Sequence, residues 1–418
     1  MTSPIHDVQA PAEISTAAAQ LRQRVLDREV SPNDVLTVFE AWAGSLDARE
    51  MDDIPGILFL RMWLKRGNLE PIIARELGAN ALHGQWTEYG RAQCKAYPVG
   101  VVGHWPAGNV EIQPLLSMTC ALLGGNAALV RIPEGLAEVT RRLMGKLAQS
   151  DPGQLLTSRI FMAAFEHGRR DLHDAMAQSV DGAMIWGGKE SVLSVRALPF
   201  PHWTRIAVFG PRMSVAAMDA GAWNNPAVQE SWCVRLARDV WQFDQQACSS
   251  PQVLFLENEA RLPSAPFLSV LQRAFAAENK AHPRQNIAAG LTSAICQARP
   301  AWLLQDTAHR AVFPMGPDWT LLFGAGSDLP QPTQGKTLTV LEVENLFEAV
   351  AKFDGVIQTL GLGMADSEKE GQLAGLAAKR GVDRIVKLGR MHAFVPPWDG
   401  MDLVRPMVRM VRHVRSAD

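Results

Sequence analysis

The sequence lacks the features that would place this chain in a membrane or on nucleic acid. No apolar run approaches the roughly 18 residues that a membrane-spanning helix needs. Residues 1–13 hold two prolines and two acids and no apolar core, which excludes an ordinary signal peptide. A net charge of −2 gives no electrostatic reason to expect a nucleic-acid partner. We therefore expect a cytoplasmic protein without a membrane span.

Four arginines near the C-terminus are spaced mostly along one face of a helix, and we expect this face to be a solvated surface: Arg405, Arg409, Arg412 and Arg415.

Paired cysteines and the common dinucleotide motif are also missing. The five cysteines are an odd number and include no C-x-x-C pair, so neither a zinc site nor any other metal site is predicted. Reduced thiols are expected. No G-x-G-x-x-G fingerprint follows any strand-like run, so an ordinary dinucleotide fold is not indicated. The cysteines are Cys94, Cys120, Cys233, Cys248 and Cys296.

Alternation of apolar runs with helical patterns defines the fold class. At 418 residues, 47% hydrophobic and 20% charged, the chain is expected to form two or three globular domains. Residues 14–92 are predicted to be helical, with Ser31 capping a helix that begins at Pro32. From Tyr97 onward, short apolar runs alternate with helices, which specifies an α/β fold with a mostly parallel sheet covered on both faces.

Two strand ends in this half carry candidate ligand-binding residues, because ligands of parallel sheets bind at the carboxyl ends of the strands. Asn109, in the turn that follows Trp105, either donates to a developing oxyanion or caps the next helix. Gly187 and Gly188 let the backbone approach a pyrophosphate, although such pairs are often plain turns. Arg131 ends a strand, where it either holds a 2′-phosphate or is solvated.

Cys248 is the candidate nucleophile of the second half. A helix that begins after Asn225 leads to it, and an apolar strand at residues 253–256 follows it, so the thiol lies on a connector that a substrate can reach. Cys120 and Cys233, in contrast, lie in apolar helical patterns and are expected in the core. A connector thiol without a nearby histidine is best activated by helix ends and a cationic cofactor, which favours thioester or aldehyde chemistry over hydrolysis.

Residues 281–334 pattern poorly and are rich in proline and glycine, so we predict long ordered loops there, around a substrate pocket. Four aromatic residues of this region either line an acyl tunnel or belong to the core: Trp302, Phe313, Trp319 and Phe323.

Several segments together resemble a known family. Residues 98–109 and 125–134 resemble the cofactor-side core of the aldehyde dehydrogenase superfamily. Within it, residues 245–252 are similar to the nucleophile segment of the LuxC-type acyl-CoA reductases (fatty acyl reductases). The similarity extends to further short segments, at residues 75–78, at 381–385 with 389–391, and at 399–400 followed by 408–409.

The resemblance implies an aldehyde dehydrogenase-like fold and assigns roles to residues. Residues 1–96 form a helical region packed on the cofactor domain, 97–221 a Rossmann-like cofactor domain, 222–395 the catalytic thiol domain and 396–418 a C-terminal segment. Cys248 matches the acyl-accepting thiol, and Asn109 matches the amide that holds the thioester oxygen. The family uses NADPH. The positions that match the cofactor-lining segments are Trp105, Pro106, Ala107, Arg131, Pro133, Glu134, Gly187 and Gly188.

The resemblance also implies an acyl-CoA or a carrier-bound acyl thioester as substrate, and an acyl-protein synthetase as partner.

One departure from the superfamily is informative. Hydrolytic aldehyde dehydrogenases have a glutamate base before the segment that resembles residues 210–212, whereas this chain has Val208 and Phe209 there. Without a base to activate water, an acyl-enzyme persists until hydride reaches it. The expected reaction is therefore NADPH-dependent reduction of an acyl thioester to the aldehyde through an S-acyl Cys248.

Three alternatives stay open on the sequence. The chain is an oxidative aldehyde dehydrogenase with another base, an acyltransferase or thioesterase that uses Cys248 without a nicotinamide, or a non-catalytic assembly subunit. The segment before Pro98 is short for the superfamily's oligomerisation arm, so the quaternary state, a homo-oligomer included, is also open.

Overall fold

The computed structural model describes residues 5–47, 49–284 and 286–414, and for Tyr89 the backbone only. Strands account for the apolar runs. In chain order they are β1 Ile5–Asp7, β2 Thr87–Tyr89, β3 Ala92–Pro98, β4 Val101–Trp105, β5 Ala127–Ile132, β6 Ile160–Ala164, β7 Gly182–Trp186, β8 Arg205–Phe209, β9 Met213–Met218, β10 Pro251–Glu257, β11 Arg310–Val312, β12 Thr320–Ala325, β13 Thr337–Val343, β14 Ile357–Gly363, β15 Arg384–Lys387 and β16 Val408–Val414.

Helices cover the sheets and begin at capping residues that the sequence provides. Ser31 accepts a hydrogen bond from the Asp34 N–H, and Asn225 accepts one from the Ala227 N–H, as their positions before proline predicted. The helices are α1 Pro11–Asp27, α2 Pro32–Ser45, α3 Ile57–Trp63, α4 Arg66–Leu77, α5 Gln113–Leu123, α6 Ala137–Ser150, α7 Arg170–Gln178, α8 Lys189–Arg196, α9 Ala220–Trp223, α10 Pro226–Trp241, α11 Ala265–Ala281, α12 Ala289–Gln305, α13 Leu346–Ala351 and α14 Ser367–Lys379.

The chain divides into two compact units. The first comprises Met1–Pro211 with Pro396–Asp418, and the second comprises Arg212–Val395. The boundaries at residues 96, 221 and 395, and the roles given to the segments between them, stay predictions.

The first unit is built on a parallel sheet with the strand order β1-β6-β5-β4-β7-β8. Its strands are short and apolar, with all of β4 and β7 buried. An antiparallel sheet, β16-β3-β2, belongs to the same unit. The sequence did not predict these three strands, and the helical face expected for the C-terminal arginines was wrong. Arg409 and Arg412 lie instead on β16, exposed as expected, whereas Arg415 lies outside the described residues.

The second unit has the strand order β11-β12-β13-β10-β9-β14-β15, parallel except for β11. β10 lies between β13 and β9 and is buried along its length. Apolar clusters cover the two faces of this sheet. The strand that follows Cys248 is therefore a fixed central element.

The prediction of long loops at residues 281–334 was wrong. This region forms α12, β11 and β12. Pro300 lies inside α12, where it interrupts the pattern that would have identified the helix. Trp302, Trp319 and Phe323 are buried in the core and only Phe313 is exposed.

Among the described residues, no helix combines the length and the apolar character that crossing a membrane requires.

Candidate active site

The turn that carries Cys248 has an unusual backbone. Helix α10 ends at Trp241, and the next turn contains Phe243, Asp244 and Gln245 with φ of 52°, 53° and 61°. A left-handed conformation costs a residue other than glycine about 1–2 kcal/mol, so contacts from elsewhere must hold this turn. Cys248 follows three residues later and precedes β10.

The buried amide of Gln245 supplies the first of these contacts. Its Nε2 donates to the carbonyl oxygens of Pro251 at 2.8 Å and Thr337 at 2.9 Å. Its Oε1 accepts from the Thr337 N–H at 2.7 Å. Gln252 Nε2 donates in turn to the Gln245 carbonyl at 3.1 Å. One side chain thus joins the turn to β10 and to β13.

Hydroxyl groups hold the nucleophile segment itself. Ser214 Oγ, on β9, donates to the Cys248 carbonyl at 2.7 Å. The next residue, Ser249, lies 2.9 Å from His392 Nδ1, and His392 Nε2 lies 2.7 Å from the Asp239 carbonyl oxygen. Because a carbonyl only accepts, Nε2 carries the proton, and Ser249 therefore donates to Nδ1. Burial lowers the pKa of His392 to about 4, so the ring is neutral in this arrangement.

A charged group lies on the same turn. Asp244 accepts from Arg284 Nε at 2.9 Å and forms ion pairs with Arg284 and with Lys336, the latter at 3.5 Å. The Lys336 ammonium also lies 4.7 Å from the centre of the Trp241 ring. Asp318 also acts electrostatically on Lys336, so two buried cations and two carboxylates balance beside this turn, and the ion pairs fix Asp244 in place.

Accessibility distinguishes Cys248 from the cysteines of the core. Cys248 is half-buried, whereas Cys120 and Cys233 are fully buried, as the sequence predicted. Burial raises the pKa of Cys120 and that of Cys233, the latter to about 12, which makes both inert as thiolates. Cys94 is half-buried and Cys296 exposed. All five are reduced thiols in the structure.

In the first unit, Asn109 lies in the turn between β4 and α5 and is exposed. The N-cap residue of α5 is Ile112, so the alternative in which Asn109 caps this helix was wrong. In the same turn the Ala107 N–H donates to Gln113 Oε1 at 3.1 Å. A Cβ atom on Gly108 would lie 3.5 Å from Pro133 Cβ, which shows that the turns after β4 and β5 are in contact.

The glycine pair begins α8. Gly187 has φ of 155°, and Gly188 is the N-cap residue of the helix. A Cβ atom on Gly188 would meet nothing within 4 Å. Backbone N–H groups at a helix N-terminus with open space beside them suit a pyrophosphate. Just before the pair, Trp186 stacks on Phe209 with ring centres 3.7 Å apart.

Arg131 lies near the end of β5, half-buried, with its guanidinium carbon 5.8 Å from the centre of the Phe165 ring. Its Nε is buried and has no hydrogen-bond partner among the described residues, and burial lowers its pKa. Trp105 Nε1 donates to Nδ1 of the neighbouring His173 at 3.1 Å. The alternative in which Arg131 is a fully solvated arginine is thus excluded, and a buried Nε donor without a partner suits a phosphate.

The predicted cofactor residues therefore share one edge of the first sheet. They lie at or just after the carboxyl ends of β4, β5 and β7, with Pro133 buried and Glu134 exposed. Their contact with a cofactor stays a prediction. Sequence reasoning missed Ser214, His392 and the role of Gln245, because their partners lie 34, 143 and 92 positions away along the chain.

The fold defines the class of protein. An oxidoreductase from Marinobacter aquaeolei has a similar structure, with a TM-score of 0.76 at 11% identity over 97% of this chain and 91% of that one. The indole-3-acetaldehyde dehydrogenase AldA of P. syringae has a TM-score of 0.70 at 14% identity, over 96% of this chain and 88% of that one. The betaine aldehyde dehydrogenase of Staphylococcus aureus has a TM-score of 0.69 at 14% identity, over 96% of this chain and 87% of that one. The chain has the aldehyde dehydrogenase fold, which confirms the predicted fold class.

The family follows from the sequence as a whole. The model of the acyl-CoA reductase (LuxC) family matches residues 13–413, so the chain belongs to this family. Two relatives are long-chain acyl-protein thioester reductases. That of Vibrio harveyi is 22% identical over 83% of this chain and 70% of that protein. That of Photorhabdus luminescens is 24% identical over 84% of this chain and 70% of that protein. The prediction of an oxidoreductase that acts on an aldehyde or oxo group is confirmed. Membership in a reductase family also supports a nicotinamide cofactor.

Proposed function

We propose that this enzyme reduces an acyl thioester, either acyl-CoA or carrier-bound acyl, to the aldehyde with NADPH through an S-acyl intermediate on Cys248. The observation that carries the proposal is the half-buried Cys248 on a turn held by Gln245, Ser214 and Ser249. A thiol that is accessible yet fixed at the end of a central strand has the placement that a covalent nucleophile needs.

The first step is acyl transfer. The Cys248 thiolate attacks the carbonyl carbon of the thioester and forms a new C–S bond, the C–S bond of the substrate breaks, and the carrier leaves as a thiolate that takes a proton from water. Asn109 is proposed as an amide donor to the oxygen that becomes negative in this step.

The second step is reduction. A bound nicotinamide would supply hydride for the S-acyl carbon. With one proton from water, this would give a thiohemiacetal on Cys248, whose C–S bond then breaks to release the aldehyde and restore the Cys248 thiol. The residues present fit such a cofactor, since Gly188 leaves open space at the N-terminus of α8 and Arg131 offers an unsatisfied Nε. Arg131 is proposed to pair with the 2′-phosphate, which would select NADPH over NADH.

The end of β8 supports reduction over hydrolysis. Val208 and Phe209 lie there, just before residues 210–212, where hydrolytic members of the superfamily carry a glutamate base, and Phe209 is buried against Trp186 of β7. Neither Val208 nor Phe209 can take a proton from water, so the acyl group on Cys248 is expected to persist until it is reduced.

Intact-protein mass spectrometry with a panel of acyl-CoAs tests the covalent route. We expect one added acyl group, its loss together with aldehyde release on addition of NADPH, and no addition to Cys248→Ala. Cys94→Ala, which removes the other half-buried thiol, is the matched control and should acylate normally. NADPH-dependent aldehyde formation by Cys248→Ala would falsify the covalent route. Steady release of free acid without NADPH would indicate a thioesterase instead.

Steady-state kinetics test the two supporting residues. Asn109→Ala should lower the acylation rate by about 10²–10³, the usual effect of losing one oxyanion donor. Arg131→Gln should raise KM for NADPH while leaving KM for NADH nearly unchanged. Equal effects of Arg131→Gln on both cofactors would refute the phosphate pairing.

A further inference from the structure

A cavity lies in the first unit, away from the carboxyl ends of the strands of its parallel sheet. It has a volume of about 420 Å³, within the roughly 300–1,000 Å³ typical of small-molecule sites. Its walls come from the end of α1, the start of α2, strand β3 and the turns that precede β4 and β5. None of the predicted catalytic or cofactor residues lines it.

The walls are partly apolar. Val30, Leu77 and Leu123 are buried side chains, and Val25 and Leu26 add apolar surface from the last turn of α1. An enclosure of this kind favours a ligand with an apolar portion, because transfer of apolar surface from water contributes to binding.

The charges of the cavity do not balance. Arg22 pairs with Asp181 at 3.1 Å, and Lys95 pairs with Glu29 at 2.6 Å. Three other lining arginines form no salt bridge with a described carboxylate: Arg28, Arg159 and Arg409. The two lining carboxylates are thus already used, which leaves these three lining arginines without a carboxylate partner among the described residues, although Arg409 Nε donates to the Pro98 carbonyl oxygen at 3.4 Å.

Arg159 is the most constrained of these cations. It is buried and donates to the carbonyl oxygens of Gly125 at 2.8 Å and Arg24 at 3.2 Å, and also to that of Arg28. Burial and the positive charge of Arg28 lower its pKa to about 10. Repulsion between Arg28 and Arg159 is an electrostatic cost, and an anion bound in the cavity would reduce it.

We propose that this cavity binds a carboxylate that carries an apolar chain. Arg28, Arg159 and Arg409 supply the positive charge for the carboxylate, and the walls at Val30, Leu77 and Leu123 contact the chain. The site is distinct from the proposed catalytic residues, and its occupancy does not depend on the reaction proposed for Cys248.

Isothermal titration calorimetry with dodecanoate, below its micelle-forming concentration, tests the site on the whole protein. We expect one dodecanoate per chain and at least about tenfold weaker binding of dodecanol, which lacks the charge, and of acetate, which lacks the chain. Inorganic phosphate that binds as tightly as dodecanoate would reduce the cavity to a simple anion site and overturn the proposal.

Variants locate the bound molecule. Arg28→Gln and Arg409→Gln remove exposed charges without disturbing the core, and each should weaken dodecanoate binding roughly fivefold. Arg24→Gln is the matched control, since Arg24 is exposed on the same helix end but does not line the cavity, and it should leave binding unchanged. If neither Arg28→Gln nor Arg409→Gln weakens the binding of dodecanoate, the ligand binds elsewhere and the assignment is wrong. The absence of any dodecanoate binding would also contradict it, whatever the outcome for acyl reduction.

Discussion

The turn before Cys248 should depend on the side chain of Gln245. Leucine at this position keeps the approximate volume but removes the amide. The carbonyls of Pro251 and Thr337 would then lose the donor that lies 2.8 and 2.9 Å away. The Thr337 N–H keeps a second, longer bond to the Gln334 carbonyl at 3.2 Å. Two buried carbonyls without this donor cost about 2–6 kcal/mol of stability at roughly 1–3 kcal/mol each.

The same substitution should impair the nucleophile more than the global loss of stability explains. Phe243, Asp244 and Gln245 are all left-handed, at about 1–2 kcal/mol each, and relaxation of the turn gains back part of this strain. Relaxation displaces Cys248, which follows three residues later. We therefore expect Gln245→Leu to lower the rate of Cys248 acylation at least about tenfold under conditions where the protein is still folded.

Urea unfolding and stopped-flow acylation measure the two effects separately. Gln242→Leu is the matched control, since Gln242 is a half-buried glutamine of the same turn, and it should change stability by less than about 0.5 kcal/mol. Gln245→Glu adds a pH test. A buried glutamate, whose pKa is raised, can donate to a carbonyl only when protonated, so its stability should fall as pH rises through that pKa. Wild-type stability and acylation rate in Gln245→Leu would refute the role of this amide.

Three further predictions concern neighbouring groups. Ser249→Ala should lower the free energy of unfolding by about 1 kcal/mol, and His392→Ala should lower it more, since that change also removes the donor to the Asp239 carbonyl. Alkylation of Cys248 by iodoacetamide should slow in both variants. Unchanged alkylation rates would contradict the arrangement. Burial lowers the pKa of His173 from 6.5 to about 4, so below pH 6.5 the unfolded chain binds a proton that the folded chain does not. The free energy of unfolding should therefore fall by about 1–2 kcal/mol between pH 7 and about pH 5. His173→Gln should remove this part of the pH dependence in urea titrations. Val208→Glu, which introduces a carboxylate near the superfamily's base position, should release free acid from the acyl-enzyme, and a persistent acyl adduct would count against the argument from the missing base.

Much of the fold is determined locally. The parallel sheet of the first unit and the helix that leads to Cys248 follow from short apolar runs, from helical periodicity and from caps such as Ser31 and Asn225, all of which act within a few residues. The same local information failed at α12, where Pro300 interrupts the pattern, and at β3 and β16, which pair with each other across some 310 positions of chain.

The sequence by itself also determined that Cys248 lies on an accessible connector, because a connector between a helix and a buried strand can be recognised from composition alone. Only the tertiary structure decided what holds that thiol. Gln245 bonds to Thr337, Ser249 to a neutral His392, and Asp244 to two cations, all through contacts that chain folding brings together from distant positions. Such contacts leave no periodic trace in a sequence, because side-chain hydrogen bonds depend on direction and distance in space.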